Sequence, residues 1–343
     1  MTGWELFFPP DTRLLMLPSR RKPRLCLPTQ HFAQRWEDSG LYPASRFLAR
    51  LYRFSLRITA AAGLRRPLEV RSRTWLLGGF VRDELPEAAS AVVLVGTAGP
   101  AQKITVQVRD GGREVLGYLK YAEKEAARRR LAQEREMLAN LPAGMAPKPL
   151  KFGELGDGEA LLVTAMEGRA LPTVLPPPED LADLSAVLLH DTRVPLEVHP
   201  WVLSVRDHTG VRLDPWLEVL ADRDWPIAVQ HGDFAPWNLL RRPDGTLGAI
   251  DWEYGTREGF PYLDLAYYVL QTLALIYRQP PLKAAEYATG YLTRQPPLAL
   301  DSGEARALVR LAAYDAHRKS REDGQPDAAR LQTWRRAIWA PGA

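Results

Sequence analysis

The chain has 343 residues, of which 46% are hydrophobic, 25% charged and 9% aromatic, with a net charge of +4. That balance excludes a fibrous or disordered protein, and the single cysteine, Cys26, excludes an intrachain disulfide, an iron–sulfur cluster and a Cys-rich zinc site. No run of about 18 apolar residues is present, so no membrane-crossing helix is expected, and a start carrying Glu5 and Asp11 without a basic segment before an apolar one reads as cytoplasmic.

Charge is uneven along the chain. Residues 1–85 hold fifteen Lys/Arg against seven Asp/Glu, and the remainder holds thirty against thirty-four. A basic front on a mildly acidic body favours an anionic partner at the front and permits a cationic substrate behind it. No nucleic-acid partner is expected, and oligomeric state is left open.

Residues 1–40 are rich in Pro and Arg and read as irregular structure with short elements. Residues 43–62 read as an amphipathic helix. Phe47, Leu51, Phe54 and Ile58 recur at helical spacing beside a second stripe of Arg46, Arg50, Arg53 and Arg57. Pro43 suits a first turn and Gly63 a stop. The apolar stripe is expected to pack against the body of the protein, because an exposed one invites aggregation. The other placement is a weak peripheral contact with anionic lipid or a lipid-linked glycan.

Residues 68–81 read as short strands around a Gly78-Gly79 turn. Segments 91–95, 104–108 and 115–121 read as an antiparallel meander, joined by turns at 96–100 and 110–112. A charged helix over 122–141 follows, then strands at 150–153 and 160–164. The chain is mostly helical after Gly168, with helices over 179–190, 213–221, 263–277, 282–292, 303–317 and 328–340. Short strands fall at 227–230 and 247–250, and 191–212 is poorly patterned. Arg318, Lys319 and Arg321 read as a solvated charge run.

The densest chemistry lies in His231-Gly232-Asp233-Phe234-Ala235-Pro236-Trp237-Asn238, followed by Ile250-Asp251-Trp252-Glu253. Phosphoryl transfer needs positioning and charge neutralisation more than covalent help. Magnesium takes oxygen ligands, one or two of them carboxylates. Asp251, at the end of an apolar strand, can supply a carboxylate oxygen, and Asn238 an amide oxygen. The pattern resembles the aminoglycoside phosphotransferase and choline kinase superfamily, small-molecule kinases of the protein-kinase-like fold. Its catalytic loop is typically HGDxxxxN with a metal-binding Asp further along. The resemblance covers roughly residues 90–320.

The resemblance implies an α+β, two-lobed fold: a small antiparallel-sheet N-lobe over 89–166 and a larger, mainly helical C-lobe over 167–343, with residues 1–88 as an extra basic N-terminal region. It implies that Asp233 faces the acceptor hydroxyl and takes its proton, and that His231 holds the loop, a general-base role being its alternative. Lys120 would clamp the nucleotide phosphates, held by Glu134, with Glu136 the rival. Asn238 and Asp251 would hold Mg2+. Gly96 and Gly99 would approach the phosphates, and Thr164 and Met166 would border the adenine. Asp264 would bond back to the catalytic loop. Glu253 stays open between a metal, a substrate amine and a local Arg.

The implied cofactors are ATP, with GTP possible, and Mg2+. The implied reaction is phosphorylation of a hydroxyl on a small molecule: a sugar, amino sugar, aminoglycoside or amino alcohol. The alternative is a catalytically inactive binding or scaffold protein of the same fold. A protein kinase is disfavoured, because Gly232 replaces the Arg of the HRD pattern and no APE segment follows Asp251.

Overall fold

The computed structural model describes residues 6–29, 32–41, 47–63, 67–70, 74–112, 114–207, 213–296 and 299–340. It divides into two compact units, one of residues 1–139 and 147–166, the other of residues 140–146 and 167–343.

The first unit is built on one antiparallel sheet of eight strands. These are β1 (Arg13–Leu17), β2 (Leu25–Pro28), β3 (Leu68–Glu69), β4 (Ser90–Val95), β5 (Ile104–Arg109), β6 (Val115–Ala122), β7 (Pro149–Leu155) and β8 (Gly158–Thr164), in the order β3-β1-β2-β4-β5-β6-β8-β7. The expected meander and the two strands after it are β4 to β8. The front region, read as irregular, contributes β1, β2 and β3 to the same sheet, with Leu25 opposite Leu94 and Cys26 opposite Val93. Leu14 to Leu17 are all buried, because both faces of the sheet are covered. Such a strand is a continuous apolar run without the alternation that marks a half-exposed one.

One face of the sheet carries Leu14, Met16, Val93, Val106 and Leu119, packed with Phe7, Phe8, Leu77 and Val81. Leu77 and Val81 belong to α3 (Leu76–Val81), a short helix where strands and a glycine turn were expected. The reason is local. A Cβ on Gly78 would come within 2.2 Å of the Trp75 ring, and the Trp75 indole donates to the Phe7 carbonyl at 3.0 Å. The glycine permits the ring to lie over the helix.

The opposite face carries Leu15, Leu17, Leu25, Leu27 and Val92, covered by Leu56 and Ala60 of α2 (Phe47–Ala61). The helix ends as expected before Gly63, whose φ is +63°. Residues 42–46 and the side chains of 47–50 lie outside the described residues, which removes Arg46, Phe47 and Arg50 from comparison. The rest of the stripe is a correction. Leu51, Phe54 and Ile58 are 51, 53 and 45% exposed. The smaller face of Leu56, Ala60 and Ala61 turns inward instead, because it fits closely over the flat row of leucines on β1 and β2.

Two helices complete this unit. α1 (Phe32–Asp38) ends on Asp38, fully buried, whose carboxylate meets the Arg109 guanidinium of β5 at 2.6 Å. The front region is thus tied to the strands after it by pairing, packing and a buried ion pair. α4 (Glu125–Asn140) turns Ala127, Leu131, Glu134, Met137 and Leu138 inward.

The second unit holds two three-stranded sheets. One is β10 (Leu189–Val194), β11 (Trp225–Gln230) and β14 (Thr256–Gly259), and the other is β9 (Arg169–Ala170), β12 (Leu239–Arg241) and β13 (Leu247–Ala249). Its helices are α5 (Asp180–Val187), α6 (Pro200–Asp207), α7 (Asp214–Val219), α8 (Leu263–Thr272), α9 (Pro281–Leu292), α10 (Ser302–Glu322) and α11 (Arg330–Trp339). α8 is buried along nearly its whole length. α10 starts with a reciprocal cap, Asp301 to the Glu304 amide and Glu304 to the Asp301 amide. Of the expected solvated run on α10, Arg321 is exposed, whereas Arg318 and Lys319 are a second correction. Lys319 and Arg318 close on the buried Asp315 at 2.7 and 2.9 Å, because their i,i+4 and i,i+3 spacing brings the long stems over one carboxylate.

Candidate active site

The loop that joins β11 to β12 carries the HGD…N sequence. β12 and β13 form a hairpin with Leu239 opposite Ala249. That register brings Asn238 beside Ile250, whose amide donates to the Asn238 carbonyl at 2.9 Å. Asp251 follows at once. The two candidate metal ligands, thirteen positions apart in sequence, are therefore placed together by one turn of chain. Asp251 adopts φ +72°, a left-handed conformation uncommon for a non-glycine residue and frequent at functional positions.

Asp233 lies half-buried on the same loop. Its Oδ1 accepts from the Tyr267 hydroxyl at 2.6 Å, and its Oδ2 accepts from the Asn238 amide nitrogen at 2.9 Å. Asn238 also donates to the Asp233 carbonyl at 2.9 Å. Burial pushes the Asp233 carboxyl up to about 6, against the pull of the Tyr267 hydrogen bond and with help from the neighbouring Asp251 charge. A carboxyl so placed exchanges a proton near neutral pH, as a general base requires.

The base of the loop is clamped from α8. Asp264 accepts from the His231 amide at 2.6 Å and from the Gly232 amide at 2.9 Å. Burial raises its pKa to about 6, opposed by these two amides. Gly232 has φ +79°, and a Cβ there would meet the Tyr254 carbonyl at 2.4 Å, so glycine is required at this point.

His231 is fully buried. Its Nδ1 accepts from the Asp233 amide at 3.2 Å, so the ring proton lies on Nε2, which donates to the Ile250 carbonyl at 2.9 Å. The ring also lies 4.6 Å from that of Trp252. Both nitrogens bond to backbone groups, so the His231 ring ties the Asp233 amide to the Ile250 carbonyl.

Tyr267 was not marked by the sequence. It sits in an apolar helix beside Tyr268, and no spacing distinguishes the two. Their environments do: Tyr268 is fully buried, whereas Tyr267 is half-buried and its hydroxyl accepts from Gln271 at 2.6 Å while donating to Asp233.

In the first unit, Lys120 of β6 meets Glu134 of α4 at 2.5 Å, and both are largely buried. Glu136, the rival, is exposed. Gly96 and Gly99 lie in the β4–β5 connection. The Gly96 amide donates to the Lys103 carbonyl at 2.8 Å, and a Cβ there would meet that oxygen at 2.5 Å. Gly96 therefore closes the base of the β4–β5 connection and spends its N–H within it. Gly99 has open space around its Cα and its carbonyl accepts from Lys124 at 2.7 Å. Thr164, at the end of β8, caps the Lys148 amide at 2.9 Å, and Met166 is half-buried.

Among the described residues no group of three or more His, Cys, Asp or Glu side chains could hold a metal ion. Asn238 and Asp251 still fit Mg2+. The Asn238 nitrogen is turned to Asp233, which leaves its oxygen directed elsewhere, and an amide with one carboxylate suits an ion that takes its remaining ligands from phosphate and water.

The chain is similar to several solved kinases. The aminoglycoside phosphotransferase APH(3'')-Id of Streptomyces rimosus, in complex with ADP and streptomycin, is 20% identical, with 68% of this chain and 97% of that one covered and a TM-score of 0.43. The Plasmodium vivax ethanolamine kinase is 13% identical, with 89% and 93% covered and a TM-score of 0.45. A thermostable mutant of the aminoglycoside phosphotransferase APH(4)-Ia is 16% identical, with 77% and 99% covered and a TM-score of 0.47. At these scores the likenesses point to no substrate. Comparison with curated proteins gives no match. The profile of the phosphotransferase enzyme family, APH, matches residues 85–308, a span that holds β4 to β8, the Lys120–Glu134 pair, the Asp233 loop and α8, and the chain accordingly belongs to that family of small-molecule phosphotransferases.

Proposed function

We propose that the protein transfers the γ-phosphoryl group of ATP, with Mg2+, to a hydroxyl group of a small molecule. Asp233 orients the acceptor hydroxyl and receives its proton as the new oxygen–phosphorus bond forms and the bond to the β–γ bridging oxygen breaks, leaving ADP. Tyr267 and Asn238 fix the two carboxylate oxygens, while Asp264 and His231 fix the backbone that carries them. Lys120, oriented by Glu134, holds the nucleotide phosphates. Asn238 and Asp251 would hold Mg2+, whose charge offsets that of the phosphates.

The observation that carries this reading is Asp233 itself. It is a carboxylate fixed by two neutral donors and raised to about 6, on a loop that one hairpin register joins to Asn238 and Asp251. The test is ADP formation by the full chain with Mg-ATP and a panel of aminoglycosides, amino sugars, neutral sugars and amino alcohols. Acceptor-dependent ADP formation is expected, rising with pH through about 6 as Asp233 ionises. Asp233→Asn should lower it by about 10²–10⁴-fold with the circular dichroism spectrum unchanged. A panel with no acceptor-dependent ADP, together with no Mg-dependent thermal shift by ATP or GTP, would overturn the reading.

A further inference from the structure

The outward face of α2 is apolar, yet the helix is already packed. Leu56 and Ala60 hold it to β1 and β2, so the exposed Leu51, Phe54 and Ile58 on the other side are not needed for the fold of this unit. They fall at i, i+3 and i+7, on one side of the helix. Phe54 is braced edge-on by Trp36, with ring centroids 6.0 Å apart. The Arg57 guanidinium lies 4.3 Å over the same indole and donates to the Trp36 carbonyl at 3.1 Å.

The charge around this face is mainly basic, with Glu37 of α1 an acidic group near Arg57. Between Asp38 and Glu69 the sequence contains six arginines, at 46, 50, 53, 57, 65 and 66, and no Asp or Glu. The exposed β1–β2 turn adds Arg20, Arg21 and Lys22. Arg20 donates to the Pro67 carbonyl at 2.7 Å, which joins that turn to the segment just after α2. Among the described residues Arg53 and Arg57 lie beside the apolar stripe on the same helix.

We infer that α2 docks this protein on an anionic lipid surface, with Leu51, Phe54 and Ile58 entering the acyl boundary and the surrounding arginines and lysine meeting the headgroups. Among the described residues no helix is long and apolar enough to cross a membrane, so the contact is peripheral. Two other occupants fit less well. A second copy pairing through the same face would set arginines against arginines. A polyanion such as a nucleic acid would match the charge but leave the three apolar side chains in water. The inference is independent of the proposed reaction, since α2 carries none of its residues.

The experiment is flotation of the full chain with vesicles of phosphatidylcholine alone or with about 30% phosphatidylglycerol, at about 0.1 M and about 1 M salt. Flotation is expected with the anionic vesicles only, and should fall several-fold at high salt. The double variant Phe54→Ser with Ile58→Ser should lose most of the flotation at low salt, and Arg53→Glu part of it. Both should keep the melting temperature, because none of these side chains lies in the core. Acceptor-dependent ADP formation in the same preparations should stay unchanged in solution, which separates failure here from failure of the kinase reading. Equal binding to neutral vesicles, no binding to either kind, or full binding by the double variant would overturn the inference. A dimer on size exclusion that the double variant dissolves would overturn it in favour of a second copy.

Discussion

Lys120 and Asp233, the two ionic groups central to the proposed chemistry, are held in opposite ways. Lys120 faces a full counter-charge, Glu134, inside a lobe of packed strands. Asp233 is held by a phenol and an amide, both neutral, with a second carboxylate nearby that raises its pKa further. A group that must stay charged and still while phosphates come and go is served by a buried counter-ion. A group that must take up and release a proton is served by donors that fix its geometry without fixing its charge. The same physics of burial thus holds a paired charge in one unit and a carboxyl with a raised pKa in the other.

Removing the clamp on the base should have the largest effect. Asp264→Ala leaves the His231 and Gly232 amides without their acceptor, which should cost about 3 kcal/mol in denaturant unfolding. It should also lower ADP formation by about 10²-fold, because the loop loses its fixed geometry. Unchanged activity would mean that the loop holds its shape by its own hydrogen bonds.

Glu134→Gln comes next. It keeps the shape and one acceptor but removes the charge facing Lys120. The KM for ATP should rise by about tenfold, consistent with the loss of about 1.4 kcal/mol from one charge-assisted bond. The acid limb of the rate, set by Asp233, should stay near pH 6. A limb that moved with Glu134 would join the two sites and break the comparison.

Tyr267→Phe is the mildest. The hydroxyl favours the ionised form of Asp233, so its loss should raise that pKa and shift the acid limb upward by roughly half a unit to one unit. At pH 8, where Asp233 is ionised in either case, the rate should fall only a few-fold. A pH profile that superposes on the parent would show that Tyr267 plays no part in holding the base.

The loop that carries the candidate residues was easier to read in the sequence than its surroundings. Asp233, Asn238 and Asp251 sit in a motif whose spacing is the span of a loop and one hairpin, so the pattern carries its own geometry. Asp264 was legible as the partner of that loop. Glu134 was preferred with Glu136 as its rival, since two residues two apart on a helix point to different faces, and the pairing with Lys120 of β6 falls to Glu134. β1 and β2 were hidden because a strand covered on both sides shows no alternation. α2 was recognised as amphipathic, but periodicity says that a helix has two faces and not which one meets the protein. The leucines of β1 and β2 meet Leu56 and Ala60, and nothing in the periodicity of α2 marks that face as the inner one. Tyr267 had no signal, because its role depends on one hydroxyl reaching one carboxylate across the fold.

The pairing of β2 with β4 has a consequence for how the chain is made. β1 and β2 leave the ribosome together and can form their hairpin at once, with Leu14 opposite Pro28 and Leu17 opposite Leu25. The edge of β2 that will receive Leu94 and Val93 then waits for more than sixty further residues. At about 5–20 residues per second that is an interval of several seconds, during which an apolar ribbon has an open edge. α2 is synthesised within that interval and lays Leu56 and Ala60 over one face of the hairpin. α2 thus lies in sequence between the hairpin it covers and β4, the strand that takes up the open edge of β2.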